Sequence, residues 1–532
     1  MITRSEVTSR TRSLILRPSS LALIFLALIF LGIRIVRFFE PLGLDQGLFA
    51  YFGQHIPRGD IPYKDIWDSK PPGIFYVYAF ALGLGDAIGW VYLLEGLCSA
   101  ATAFLIYRLG RRLSDERVGL TAALVYVLFS HAPLLGGFWA NAQAERFMEL
   151  PIVGSLILLT TEHPRRERTF LLASGMLSGV AILFKLVAFL IVPCAIFYVI
   201  FSRKDTRCAA RGTLVFLIGL ALPPLAALGY FWSRGALGAM WEALVIYKWA
   251  YAREIVQGQD LWHVTIYPYL QFVRENRVFW ALSLVGCVAL LKKRSPLSCV
   301  IVLWVLASFA MVWMQRQFAG YHFVALVAPV ATTAGYGTIT LFDFLSRPRL
   351  RTRLAAGGIG LALVFSFLVE MRGYYRFYRP DVNYVLGRID RALYWRSFDR
   401  GRLSFAEHYT VAQYLKFQTG EEDAMLVWGL APGIYYLADR KAATKYVFHH
   451  VLLTEAPLSL AFRELHLRRA AFMDQLRRTN PAYILIGLQD PNSFEPLDSY
   501  RQMLRFPAFR QYVRAYYEKD RRIGHFLLMR RK

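Results

Sequence analysis

The sequence predicts a polytopic α-helical membrane protein with a soluble α/β domain at its C-terminal end. Three observations carry that prediction. The 532 residues are 56% hydrophobic and 15% aromatic with a positive mean hydropathy, which is more apolar than a soluble core requires. Short Lys/Arg clusters separate long apolar runs, the pattern that the positive-inside rule imposes on a chain threaded through a bilayer. After about residue 371 the apolar runs shorten, charge rises, and strand-like pieces alternate with helical ones, as in α/β domains.

The net charge of +25 would ordinarily suggest nucleic acid. Here the basic residues sit between apolar runs, so topology accounts for them and no nucleic-acid partner is expected. The five cysteines, Cys98, Cys194, Cys208, Cys287 and Cys299, have no metal-type spacing and suggest neither a disulfide framework nor a zinc site. The N-terminal segment is basic and Leu21 to Ile35 is apolar. No small-residue cleavage site follows, so this segment is expected to be a retained first span rather than a signal peptide.

Six basic clusters fix the predicted threading: Arg4 to Arg17, Arg108 to Arg117, Arg165 to Arg168, Arg203 to Arg211, Lys292 to Arg294 and Arg347 to Arg353. All are placed in the cytoplasm if spans occupy about 20–38, 88–107, 117–136, 146–162, 169–184, 187–202, 212–231, 277–292, 297–314, 322–344 and 354–371. That gives about eleven transmembrane helices, with the N-terminus inside. Gly73 to Leu84 is apolar but too short to span, and it reads as an interfacial helix in the first external loop. Residues 1–371 then form a membrane domain and 372–532 an external α/β domain. Its expected strands include Ala424 to Trp428, Tyr483 to Ile486 and His525 to Leu528, and its helices include His408 to Phe417.

Candidate chemistry gathers at the external ends of the spans. The first external loop carries Asp45-Gln46-Gly47 and then Tyr63-Lys64-Asp65-Ile66-Trp67-Asp68-Ser69-Lys70-Pro71-Pro72. Pro71 and Pro72 have fixed φ angles and no N–H, so they rigidify the chain behind Lys70 and aim its ammonium. Asp45 is either a loop or capping acid or a functional one, and Glu145, near the start of the fourth span, has the same two readings. Lys185 interrupts an otherwise uncharged stretch from Thr169 to Ser202. It either snorkels to the headgroups or binds a lipid phosphate. The loop from Gln315 to His322 adds Arg316, Tyr321 and His322.

Carboxylates mixed with cations at a membrane boundary suit group transfer from a lipid phosphate. The cations would bind the phosphate and stabilise its growing charge, while a carboxylate takes the proton of the incoming hydroxyl. One direct displacement would invert the anomeric configuration, and no acid need protonate the leaving group as in glycoside hydrolysis. The site needs no cofactor, and the cations make a metal unnecessary. A divalent ion would be accommodated only if Asp45, Asp65, Asp68 and Glu145 converged.

These motifs, in this order, resemble the membrane GT-C glycosyltransferases. The similarity is to the bacterial branch with the lipid A aminoarabinose transferases, lipopolysaccharide galacturonosyltransferases and relatives of protein O-mannosyltransferases. It covers about residues 20 to 371, with Trp428-Gly429-Leu430-Ala431-Pro432 similar to the branch's external domain. The resemblance implies a polyprenyl-phosphate sugar donor and inverting hexosyl or pentosyl transfer at the periplasmic face of the inner membrane. The acceptor would be a hydroxyl of lipid A or lipopolysaccharide, a polysaccharide or a protein. It makes Asp45 and Glu145 catalytic acids of the first and second loops and assigns the donor phosphate to Lys70, with Lys185, Arg316, Tyr321 and His322 beside it. Tyr63, Asp65 and Asp68 would organise the loop or the substrate. One departure stands out: the family's frequent Asp-Glu pair is Asp45-Gln46 here. A transporter or lipid flippase is the rival reading, although such proteins hold their sites near the midplane and often show repeated span patterns.

Overall fold

The computed structural model describes the chain apart from residues 1–17, 86, 162, 204, 250–265, 316–317, 347–349, 400–403, 454–458 and 491–496. A helix stands at each of the expected span positions, among them Pro18–Ile35, Gly89–Leu113, Glu116–Phe129, Ala144–Leu159 and Glu167–Phe184. Among the described residues, 6 helices are long and apolar enough to cross a membrane. Others, such as Glu116–Phe129 and Ala144–Leu159, are shorter and pack among them. Large apolar side chains are exposed along the outer helices, for example Leu225, Leu284, Leu361 and Phe365. In a bilayer that surface faces lipid at no cost.

Small residues let the helices approach closely. A Cβ on Gly286 would lie 1.9 Å from the Thr333 carbonyl oxygen, and one on Gly337 would lie 2.0 Å from that of Leu282. Helices Arg277–Lys293 and Val327–Leu345 therefore touch backbone to backbone, which dispersion and close packing favour where no hydrophobic force acts between helices.

The first loop folds as two short helices, Leu44–His55 and Gly73–Gly83, joined by residues 56–72, within which Pro62 and Ile66 form a bridge. The second stands where a short apolar helix is expected and is 11 residues long. Lys185 ends helix Glu167–Phe184 in an extended conformation, and the chain restarts as a 3-10 turn, Leu186–Leu190, before Ile191–Phe201.

The last long helix, Leu350–Val385, runs straight through residue 371. Beyond it, among the described residues, five strands form one sheet: β1 Ala424–Trp428, β2 Lys441–Ala442, β3 Tyr483–Gly487, β4 Tyr517–Ile523 and β5 Phe526–Arg531. Their order is β2-β1-β3-β5-β4, with β1 parallel to β2 and β3, and β5 antiparallel to β3 and β4. β3 is buried throughout, as its uninterrupted apolar sequence requires. The charged strand β4 lies at the edge, where Lys519, Arg521 and Arg522 discourage further pairing. The sheet domain is clamped to the first loop. A Cβ on Gly47 would lie 2.5 Å from Gly433 Cα, Trp67 N donates to the Lys445 carbonyl at 2.8 Å, and Ala442 N donates to the Tyr51 hydroxyl at 2.9 Å.

Candidate active site

Asp45 stands in the first turn of Leu44–His55, with half-buried access to solvent. Its Oδ1 is 3.2 Å from Lys70 Nζ, and its Oδ2 accepts a hydrogen bond from Gln143 Nε2 at 3.2 Å. Burial opposes ionisation of Asp45, but the charge and hydrogen bond of Lys70, with Lys185 and Gln143 behind them, outweigh it. Its carboxyl is held below the usual range.

Lys70 is fixed on three sides. Its Nζ also contacts Asp68 Oδ2 at 3.3 Å and lies 5.1 Å from the centre of the Phe49 ring. Its carbonyl accepts from the Tyr63 hydroxyl at 2.8 Å. Tyr63 is fully buried at φ 71°, a left-handed conformation that a bulky residue adopts only when its surroundings enforce it. Burial would lower the Lys70 pKa, yet Asp45 and Asp68 hold it above its usual value. The ammonium is permanent.

The second ion pair joins Lys185 Nζ to Glu145 Oε1 at 2.8 Å. Glu145 is fully buried in the first turn of Ala144–Leu159. Lys185 also donates to Gln315 Oε1 at 3.3 Å and lies 5.6 Å from the Tyr321 ring. Tyr321 packs edge-on against His322, which is buried. Gln143 connects the two pairs, because it touches Asp45 and immediately precedes the helix that carries Glu145.

The structure thus brings together Asp45, Lys70 and Asp68 in one group, with Glu145, Lys185, Tyr321 and His322 beside them. Asp65 does not join: its Oδ2 accepts from Ile61 N at 2.8 Å and shapes the turn. Arg316 lies outside the described residues. Gln46, in place of the second acid, is a tether. Its Nε2 donates to the carbonyls of Asn141 at 2.8 Å and Phe138 at 3.1 Å, tying the Asp45 helix to the second loop. Among the described residues no three His, Cys, Asp or Glu side chains gather in a metal-type group.

Lys248 escapes a reading of the sequence. It lies between helices Thr206–Ser233 and Tyr267–Glu275 and is half-buried. Burial, reinforced by the charges of Lys185 and Lys70, pushes its ammonium down to about 8. Its only local signal is a lysine flanked by Tyr247 and Trp249. A buried ionic cluster beneath the site is equally hidden: Glu95 meets Arg34, Arg37 at 3.6 Å and Arg146 at 4.0 Å. Arg146 also donates to the carbonyls of Ser130 and Leu135. Anchored inward, Arg146 fixes the helix start from which Glu145 reaches Lys185.

Residues 69–231 match the sequence family described as dolichyl-phosphate-mannose-protein mannosyltransferase, a stretch that includes Lys70, Glu145 and Lys185. Across 94% of this chain and 97% of the other, the structure superposes on ArnT from Cupriavidus metallidurans bound to undecaprenyl phosphate, at 14% identity and TM-score 0.56. This is a GT-C fold. The same protein in the apo state gives TM-score 0.57 at 13% identity, with the same coverage. The chain also superposes on the archaeal oligosaccharyltransferase AglB from Archaeoglobus fulgidus in complex with an inhibitory peptide and a dolichol-phosphate. That match has TM-score 0.52 and 15% identity, over 96% of this chain and 74% of the other. No curated protein sequence matches the chain at a significant level.

Proposed function

We propose that this multi-pass membrane protein is an inverting glycosyltransferase. It would move a hexosyl or pentosyl group from a polyprenyl-phosphate donor to a hydroxyl of a cell-envelope glycolipid, polysaccharide or protein. The observation that carries the reading is the Asp45–Lys70 pair at 3.2 Å, a base and a phosphate ligand side by side on the first loop of a GT-C fold. The lipid phosphates bound by the ArnT and AglB relatives support the donor class. The basic-cluster topology supports a site and a sheet domain (372–532) on the periplasmic face of the inner membrane, with the membrane domain (1–371) below them.

Three ammonium groups, Lys70, Lys185 and Lys248, face three carboxylates, Asp45, Asp68 and Glu145. When the donor phosphate enters, it competes with Asp45 for Lys70. Losing that partner raises the basicity of Asp45 as the acceptor arrives. The acceptor oxygen then attacks the anomeric carbon while the bond from that carbon to the phosphate oxygen breaks. The electron pair stays on the phosphate, where Lys70, Lys185 and Lys248 stabilise it. The acceptor proton passes to Asp45 and later to water. Buried Glu145 holds Lys185 in place, Tyr321 and His322 wall the phosphate, and Tyr63 and Asp68 fix the Lys70 loop.

The test has two parts. Mass spectrometry of envelope lipids, glycans and proteins from a deletion strain should reveal one missing sugar. Complementation with Asp45→Asn or Lys70→Ala, both inserted and folded, should fail to restore it. Full restoration by both variants would sink the mechanism.

A further inference from the structure

Helix Leu350–Val385 has 36 residues, about 54 Å at 1.5 Å per residue, whereas a bilayer core needs about 30 Å. Its outer end therefore stands above the membrane, on the side of the candidate site. Leu361, Phe365 and Leu368 are exposed on its lipid-facing stripe. Continued at helical spacing, that stripe meets Arg372, Arg376, Arg379 and Asn383. Lipid-facing carbon gives way to cations on one face.

Past the helix the chain turns back as the short helix Arg391–Arg396 and closes a cleft of about 400 Å³. Arg376, Arg379 and Arg396 line it with Asn383, Ile389 and Leu393. Its frame is fixed: Tyr394 stacks on Tyr384 with ring centres 4.4 Å apart and donates to Asp381 Oδ1 at 2.7 Å. Trp395 Nε1 donates at 2.8 Å to the carbonyl of Phe39, the last residue of the first apolar span. That bond sets the height of the cleft at the membrane surface.

Two of the nearby acids are occupied elsewhere: Asp381 serves Tyr394 and Asp390 caps the short helix. The third, Asp399, holds the backbone N–H of Phe405 while feeling the charge of Arg396. Among the described residues no carboxylate forms an ion pair with Arg376, Arg379 or Arg396. Helical side chains lean toward the N-terminus, which here is toward the membrane. The guanidinium groups of Arg376 and Arg379 therefore incline to headgroup level. Arginines gathered directly after a span, on the face that the basic clusters leave poor in charge, run against the topological bias and need another explanation.

We propose that this cleft binds the phosphate of an anionic lipid of the adjoining leaflet, with the acyl chains lying on the Leu361–Phe365–Leu368 stripe. The site is separate from the Asp45–Lys70 group and does not depend on the glycosyltransferase reading. Arginine forks match phosphate oxygens in pairs, and Ile389 and Leu393 give the glycerol end an apolar wall.

Native mass spectrometry of the full chain in neutral detergent tests this, with dioleoyl phosphatidylglycerol and phosphatidylcholine as probes. One phosphatidylglycerol should bind in preference to phosphatidylcholine. Arg376→Gln/Arg379→Gln/Arg396→Gln should weaken it about a hundredfold, the loss expected for three cations near an anionic surface. Arg521→Gln/Arg522→Gln, on strand β4, should leave it unchanged. Equal binding by the triple variant, an equal loss in the β4 variant, or full displacement by inorganic phosphate would each overturn the proposal. Should the triple variant fail to fold, Arg379→Gln alone is measured the same way. A several-fold loss is expected, and unaltered affinity would overturn the site.

Discussion

Replacing Asp45 by Asn removes one charge and almost no volume. In the structure the carboxylate has two partners, Lys70 at 3.2 Å on Oδ1 and Gln143 at 3.2 Å on Oδ2, and an amide keeps an acceptor oxygen for only one of them. Lys70 keeps Asp68 at 3.3 Å, so its ammonium is not orphaned. The pair is part-exposed, and its loss should cost about 1 kcal/mol of stability or less. The chemical cost is far larger. An amide cannot take the acceptor proton, and loss of a positioned base lowers kcat by about 10²- to 10⁴-fold, roughly 2.7–5.5 kcal/mol of transition-state stabilisation. The donor KM should stay level or fall, because the phosphate no longer competes with Asp45 for Lys70. The assay is transfer by purified protein in nanodiscs, with donor concentration varied and thermal unfolding measured on the same preparation. A stable Asn variant with wild-type kcat, or one whose entire defect lies in KM, would refute the reasoning.

Three further outcomes follow from the same geometry. Lys185→Ala leaves fully buried Glu145 without its partner at 2.8 Å and should cost about 3–5 kcal/mol. Adding Glu145→Gln should restore thermal stability without restoring transfer, and an unchanged unfolding temperature in the single variant would contradict the pairing. Lys248 has its ammonium pushed down to about 8, so it is charged below that pH and neutral above it. The donor KM should rise as pH climbs through about 8, and Lys248→Arg should carry this limb upward by more than about one unit; identical limbs would remove Lys248 from the phosphate site. Gly47→Val places a side chain against backbone, since even a Cβ there lies 2.5 Å from Gly433 Cα. Limited proteolysis should then release a C-terminal fragment that the wild type retains, and equal resistance would mean the clamp is unimportant.

The helix positions were legible because hydropathy and basic clusters act through local sequence: a helix stands at each expected place, and among the described residues 6 helices are long and apolar enough to cross a membrane. The Lys70 motif was legible because Pro71-Pro72 and the acids around it form one short segment. Strand β4 was not. Its sequence, Tyr517 to Ile523, is mostly charged, and only pairing with β5 makes it a strand. The extension of the last helix to Val385 was also hidden, because Arg372 to Arg379 break the apolar run without breaking the helix. Lys248 could not be placed from sequence, since its neighbours Lys70 and Lys185 are remote along the chain and come to it only through tertiary folding. The Gln46 tether, unlike Asp45, required the carbonyls of another loop to be in view.

The proposed reaction is direct displacement of a polyprenyl phosphate from an anomeric carbon. Its most direct test supplies the purified protein with a polyprenyl-phosphate sugar of defined anomeric configuration and with an envelope extract. The donor, the glycosylated product and its linkage are then followed by mass spectrometry and proton NMR. The expected result is release of the polyprenyl phosphate, gain of one sugar on an acceptor hydroxyl and inversion of configuration, all slowed at least about a hundredfold in Asp45→Asn. A product of retained configuration, or transfer undiminished in Asp45→Asn, would contradict it.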